Sequence, residues 1–210
     1  NLAKGLSLVS RAVSSRSVLP VLNNILLVTD GPRLRLSATN LAVAITCWVE
    51  ASVEAEGAIT VPAKTFADVV AAIASGDSML LTLKEDTLTL KASASKTEIK
   101  GIRADEFPLI PRGDTLEGVA VEFEAAALRD AIRKTVFCAA TDDARPILNG
   151  VLFKANDGRG SFAATDGFRL SVAHIAVKGD SLKAIIPAET LTHLDRILGD
   201  EGAVTMRVSP

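Results

Sequence analysis

Part of this chain is written twice. At an offset of 126 residues, Leu19-Pro20-Val21-Leu22-Asn23-Asn24-Ile25-Leu26-Leu27 lies over Arg145-Pro146-Ile147-Leu148-Asn149-Gly150-Val151-Leu152-Phe153. With no gap inserted, Arg33 meets Arg159 and Ala38-Thr39-Asn40 meets Ala164-Thr165-Asp166. Upstream, Leu2 and Leu6 fall on Leu128 and Ile132. Downstream, after one deleted residue, Pro62-Ala63-Lys64-Thr65-Phe66 meets Pro187-Ala188-Glu189-Thr190-Leu191. Identity is low, but the order of the matches holds over roughly seventy residues, which reads as one folding unit copied in tandem. The copies divide the chain into residues 1–112 and 113–210.

Each copy carries the same elements. Leu2, Leu6, Val9 and Val13 recur at helical spacing, as do Leu128, Ile132, Val136 and Ala139. A loop then ends at Pro20 or Pro146. The pattern in the first copy predicts short strands through Asn24–Val28, Leu34–Ala38 and Val43–Glu54, with Val43, Ile45, Cys47 and Val49 on one face of the last. Asp30-Gly31 and Asp157-Gly158 supply turn chemistry. A strand ending at Val61 or Ile186 meets a proline, and a second helix follows, with apolar Phe66, Val69, Val70 and Ile73, or Leu191, Leu194 and Leu198. The first copy continues with strands predicted over Met79–Lys84, Thr87–Ala92 and Thr97–Ile102 before Glu106-Phe107-Pro108. The second reaches Pro210 within the first of these, so the expectation is a piece of a longer chain, since a sheet without its neighbours keeps unpaired edges. The fold class is α+β.

Composition narrows function. Twenty-three bases against 25 acids leave a formal charge of −2, so any basic surface is local. Aromatics make up 4% with no Tyr, which disfavours a stacking platform for exposed bases. Two cysteines and two histidines offer neither a disulfide framework nor a cysteine-rich zinc site. No stretch approaches the about 18 apolar residues that a membrane span needs. The chain opens at Asn1 without a signal-peptide pattern. These features predict a reduced, cytoplasmic protein with no membrane, metal or cofactor.

Catalytic constellations are missing. Asp142-Asp143 reads as a turn, and Asp166 as a turn residue rather than a base. His174 ends a strand, His193 lies on a helical polar face, and neither has a nucleophile partner in view. Cys138 reads as core. A phosphate loop of the Gly-Lys-Ser/Thr kind is absent. The expectation is therefore that the protein is not an enzyme. The alternative is a duplicated α+β enzyme or ligand-binding protein with its site between the halves, which requires a deep pocket with converging polar groups. A further rival is a stand-alone structural or inhibitory module.

Five segments in order carry a family resemblance: Arg16-Ser17-Val18-Leu19-Pro20-Val21-Leu22, Thr60-Val61-Pro62-Ala63-Lys64, Asp105-Glu106-Phe107-Pro108, Leu148-Asn149-Gly150-Val151-Leu152-Phe153 and Ala164-Thr165-Asp166-Gly167-Phe168-Arg169-Leu170. With them the whole chain resembles the bacterial DNA polymerase III beta subunit, the sliding-clamp family. The resemblance implies the DNA-clamp fold of tandem domains, with helices on the inner concave face of a ring and antiparallel sheets outside. It also implies that this sequence holds a first domain lacking its opening strand and a second cut short at its C-terminal end, with a third domain absent. The function implied is that of a replicative processivity factor. Such a factor is a homodimeric ring that slides on duplex DNA without sequence specificity. It tethers the polymerase III alpha subunit, the clamp loader and other proteins bearing a clamp-binding motif.

Retention by topology needs only a few phosphate contacts that ignore sequence. At ~100° per residue, Lys4 and Arg11 project opposite the buried seam of the first helix. Arg129 and Arg133 stand four apart on one flank, and Arg196 projects outward beside His193. Ordinary solvated helix faces carry such bases too, and Asp68, Asp130 and Asp195 dilute the pattern. The resemblance adds Arg16, whose loop position matches a DNA-contacting arginine of the family, followed by Lys64 and Arg145. It also implies a peptide pocket at Thr165, Gly167, Phe168, Arg169 and Leu170 with Leu148 beneath; from the residues alone this is an ordinary hairpin loop. The first copy reads Thr39-Asn40-Leu41-Ala42-Val43 and breaks the motif, so one copy is expected to bind.

Overall fold

The structure is a computed structural model that describes every residue except 15–18, 74–76, 93–94, 112, 114, 143 and 210. It divides into two compact units, Asn1–Ile110 and Pro111–Pro210.

In the first unit, helix α1 (Leu2–Val9) buries Leu6 and Val9 on the same side and lays them on a sheet. Close approach is possible because residue 5 is glycine: a Cβ there would sit 2.8 Å from Val49 Cγ2 and 2.9 Å from Leu36 Cδ1. Strands β1 (Asn24–Asp30), β2 (Arg33–Thr39), β3 (Ala44–Glu50), β4 (Ala58–Pro62) and β8 (Ile102–Arg103) form that sheet, in the order β3-β2-β1-β4-β8. Helix α2 (Ala63–Ala72) starts directly after Pro62. Strands β5 (Leu80–Lys84), β6 (Thr87–Ala92) and β7 (Ser95–Lys100) make a second, antiparallel sheet. Period-two burial decides which faces meet: Leu36 and Ala38 from β2, Leu88 and Leu90 from β6 and Ile99 from β7 join Phe66 in one core.

The second unit opens with β9 (Val119–Glu124) and helix α3 (Ala125–Thr135). Strands β10 (Gly150–Asn156), β11 (Arg159–Thr165), β12 (Leu170–Ala176) and β14 (Leu182–Pro187) form a sheet in the order β12-β11-β10-β14. Helix α4 (Ala188–Asp195) follows Pro187. Strand β9 lies between β13 (Lys178–Gly179) and β15 (Ala203–Val208). The core centres on three rings, with Phe153 4.7 Å from Phe162 and 5.3 Å from Phe123 between centroids. The duplication is therefore structural: β1, β2 and β3 coincide with β10, β11 and β12 at a constant shift, end residue for end residue.

The structure corrects several element boundaries. Both leading helices stop early: α1 gives way to a 3-10 turn at Ser10–Ala12, and α3 to one at Val136–Cys138. Periodicity hid this because Val13 and Ala139 still pack against the two cores past the helix ends. The strand expected over Thr97–Ile102 is broken at Gly101, whose missing side chain would lie 2.3 Å from the Thr60 carbonyl oxygen. That contact lets the chain cross from the β5-β6-β7 sheet to the edge of β4. Strand β9 was not anticipated from its residues. It buries Val121 and Phe123 completely and pairs along all of β15. Among the described residues the corresponding edge of β5 has no strand, and a cavity of about 930 Å³ opens there beside Leu34, Val49, Val70 and Met79.

Candidate functional site

The hairpin between β11 and β12 is held by its own side chains. Thr165 Oγ1 donates to the Arg169 carbonyl at 2.7 Å and accepts from the Gly167 N–H at 3.0 Å. Asp166 Oδ1 accepts from the N–H groups of Phe168 and Arg169 at 2.9 and 3.0 Å. Threonine and aspartate suit these places because their short side chains reach the backbone two to four residues on. The first unit builds the same cage from different residues. There, Thr39 Oγ1 donates to the Val43 carbonyl, Leu41 N–H donates to Thr39 Oγ1, and Asn40 Oδ1 accepts from Ala42 and Val43. Both turns place their third residue at positive φ, +74° at Leu41 and +93° at Gly167. The motif that the first copy breaks in sequence is thus kept in its backbone.

What distinguishes the second unit is a layer of side chains on this cage. Arg145 Nη2 donates to the Asp166 carbonyl at 3.0 Å, and its guanidinium lies against the open face of Gly167. Arg169 Nε donates to Asp166 Oδ2 at 2.9 Å, and Nη2 to the Phe137 carbonyl at 2.9 Å. The resemblance places Arg145 among the DNA contacts; the structure sets its side chain against the loop, just ahead of the 3-10 turn Pro146–Asn149, whose Leu148 N–H donates to the Arg145 carbonyl. Leu148 is half-buried, while Phe168 is 96% exposed and Leu170 and Ile147 are each 66% exposed. The loop therefore joins an apolar surface to a fixed set of donors, an arrangement suited to an extended peptide with apolar anchors. Phe137 was missed. The repeat offers no signal for it, since its place in the first copy is taken by Arg11.

The Phe168 and Arg169 amides, followed by the Arg169 guanidinium, hold the Asp166 carboxyl at about 2, below the ordinary carboxylate range. The depressed folded value means the cage is fully supported above the ordinary carboxylate value and loses that support as pH falls toward about 2. Exchange of the Phe168 and Arg169 amides should accelerate through that window, while the Ala42 and Val43 amides, held by the non-ionising Asn40, should not follow. Asp166→Asn should abolish the difference. Equal acid response in both loops would refute the assignment.

The remaining basic residues differ in their freedom. Lys4 is exposed on α1, but Arg11 lies in the 3-10 turn rather than on the helix. Lys64 is exposed at the start of α2, and Arg196 is exposed just past α4. Arg129 and Arg133 are not free cations. Arg133 Nε lies 2.7 Å and Arg129 Nε 3.5 Å from Asp195 Oδ1, and Arg129 Nη1 also pairs with Asp200. Arg16 lies outside the described residues, as does Asp143. Asp142 accepts the Ala144 N–H, as a turn residue does, and His193 sits 3.7 Å from Glu189. Among the described residues no cluster of three or more His, Cys, Asp or Glu could hold a metal, and no helix is long and apolar enough to cross a membrane.

Comparison with known proteins gives a consistent result. Residues 1–111 match the family described as DNA polymerase III beta subunit, N-terminal domain, and residues 122–210 match its central domain. The chain is 36% identical over 226 residues to a beta sliding clamp of Synechocystis, covering 96% of this chain and 57% of that protein. It is 37% identical over 204 residues to that of Synechococcus elongatus, covering 94% and 54%. A Pseudomonas aeruginosa sliding clamp bound to griselimycin superimposes with a TM-score of 0.91 at 31% identity, over 99% of this chain and 57% of that one. The Bacillus subtilis clamp gives 0.93 at 25% identity, over 100% and 58%. The chain thus spans little more than half the length of these relatives.

Proposed function

The chain belongs to the DNA polymerase III beta subunit family, and from that membership we propose that it forms the first two domains of a replicative processivity clamp. The observation that carries this reading is the succession itself: two units of one design, matching the family's N-terminal and central domains in order. In this reading the complete protein is a non-enzymatic homodimeric ring in the cytoplasm. It slides on duplex DNA and holds the polymerase III alpha subunit, the clamp loader and other motif-bearing proteins at the Thr165–Leu170 loop. The opening strand of the first unit lies along β5 as β9 lies along β15, and a third domain follows the second. Lys4, Arg11, Arg16, Lys64 and Arg196 supply loose phosphate contacts. Arg129 and Arg133 contribute less because Asp195 and Asp200 already pair with them.

The test is topological. The complete protein, loaded on nicked circular DNA, should remain bound and should run off once the circle is cut; equal loss from both forms would overturn the ring. Removing one free cation, as in Lys4→Ala or Arg196→Ala, should lower the salt slope of binding by about 1 without changing sequence preference. Arg133→Ala should move the slope less than either. An Arg133→Ala effect as large as theirs would show that the ion pair opens on DNA.

A further inference from the structure

We propose that Arg169, on the loop assigned above to partner peptides, is a positioning residue: with Phe137 it forms a strut that pins this loop to the end of α3. Its guanidinium holds the pocket in shape and does not itself meet the peptide. The inference rests on that reading of the loop but stands on separate geometry. The side chain is committed in three directions, to the Asp166 carboxylate at 2.9 Å, to the Phe137 carbonyl at 2.9 Å and to the face of the Phe137 ring, 5.7 Å from guanidinium carbon to ring centroid. Phe137 sits in the 3-10 turn that continues α3. A second tie runs parallel, from Ser171 Oγ to the Lys134 carbonyl in the last turn of the same helix.

The internal repeat separates what the strut does from what the cage does. At the matching positions the first unit carries Val43 for Arg169, Arg11 for Phe137 and Leu19 for Arg145, yet its turn has the same four kinds of cage bond. Arg169 is therefore not needed to make the turn. What it adds is a fixed position relative to a helix for a loop whose outer residue Phe168 is almost bare of packing and whose Leu170 is two-thirds exposed. A loop so exposed, held by local bonds alone, would sample many positions, and a peptide would bear the cost of selecting one. Pinning removes that cost beforehand. It also passes through Asp166, whose carbonyl receives Arg145, so the strut fixes the second guanidinium at the same time.

Four variants of the complete clamp test this: Phe137→Ala, Phe137→Tyr, Arg169→Ala and Leu170→Ala. The readouts are amide exchange of the 165–170 loop, with the 39–43 loop as internal reference, and anisotropy of a labelled clamp-binding peptide of the polymerase alpha subunit. Losing the ring should speed loop exchange and weaken the peptide by about two- to fivefold, the range of an exposed cation–π contact. Losing the guanidinium should do both by about tenfold, as expected where charge-assisted bonds are removed. Phe137→Tyr should restore both, because it keeps the ring face. The strut is overturned if Phe137→Ala leaves loop exchange unchanged, or if Arg169→Ala weakens the peptide without loosening the loop, which would make it a direct contact. If the loop loosens as stated but neither it nor Leu170→Ala alters peptide affinity, the strut stands and the peptide assignment of the loop is what fails.

Discussion

Phe153→Ala is expected to cost the second unit about 3–5 kcal/mol, the range for emptying a fully buried aromatic site. Phe153 has no exposed surface and lies between the rings of Phe123 and Phe162. Each ring comes from a different strand, β9, β10 or β11, so removing Phe153 takes away the shorter of the two ring contacts, 5.3 against 6.2 Å, that join the three-stranded sheet to the four-stranded one. Urea unfolding followed separately for the two units should show the loss in residues 111–210 alone. The first unit has aliphatic Leu27 and Leu36 at the matching places and serves as the control. A loss below about 1 kcal/mol would mean that the rings are not the packing centre.

Gly167→Ala is expected to weaken peptide binding about tenfold, equivalent to about 1.4 kcal/mol. Backbone strain alone does not account for this, because Leu41 occupies the matching turn at φ +74° with a full side chain. The decisive contact is with Arg145: a Cβ on residue 167 would stand 2.8 Å from its Nη1 and 3.1 Å from its Nη2. The guanidinium must swing away, losing its bond to the Asp166 carbonyl and its place on the loop. In the first unit Leu19 stands at the matching position, so no guanidinium is available there. The two changes should therefore be coupled. In an Arg145→Ala background, Gly167→Ala should cost clearly less than it does alone, keeping only the strain of a side chain at φ +93°. Additive losses would show that the glycine is required by backbone geometry rather than by the arginine.

Much of the fold was legible because its signals are local. The alternation of Ile45, Cys47 and Val49 marks the core face of β3, and all three pack against the first core. Asp157-Gly158 reads as a hairpin turn, and both residues take positive φ as a two-residue connection requires. The residues of Thr165–Leu170 read as a hairpin loop, and they join β11 to β12 as one. Its counterpart at Thr39–Val43 was judged broken because Asn40 and Leu41 do not spell the motif, although asparagine accepts the same two amides as aspartate. The helix ends differ from the reading because apolar spacing continues through Val13 and Ala139 with neither glycine nor proline to stop it.

The candidate site was less legible, and the reason is chain distance. Arg129 and Arg133 show a basic flank in sequence, but their partners Asp200 and Asp195 lie 71 and 62 residues away. Phe137 lies 32 residues from the arginine it supports, and Arg145 lies 21 from the carbonyl it bonds. What the amino-acid order determined by itself was the copied unit, the inward face of each strand and the turn that cages its own amides, because these depend on side chains only a few bonds apart. Which cations remain free, which arginine belongs to the loop and what holds that loop to its helix were decided only by the tertiary structure. Those pairings exist only once packing brings distant segments within hydrogen-bond reach.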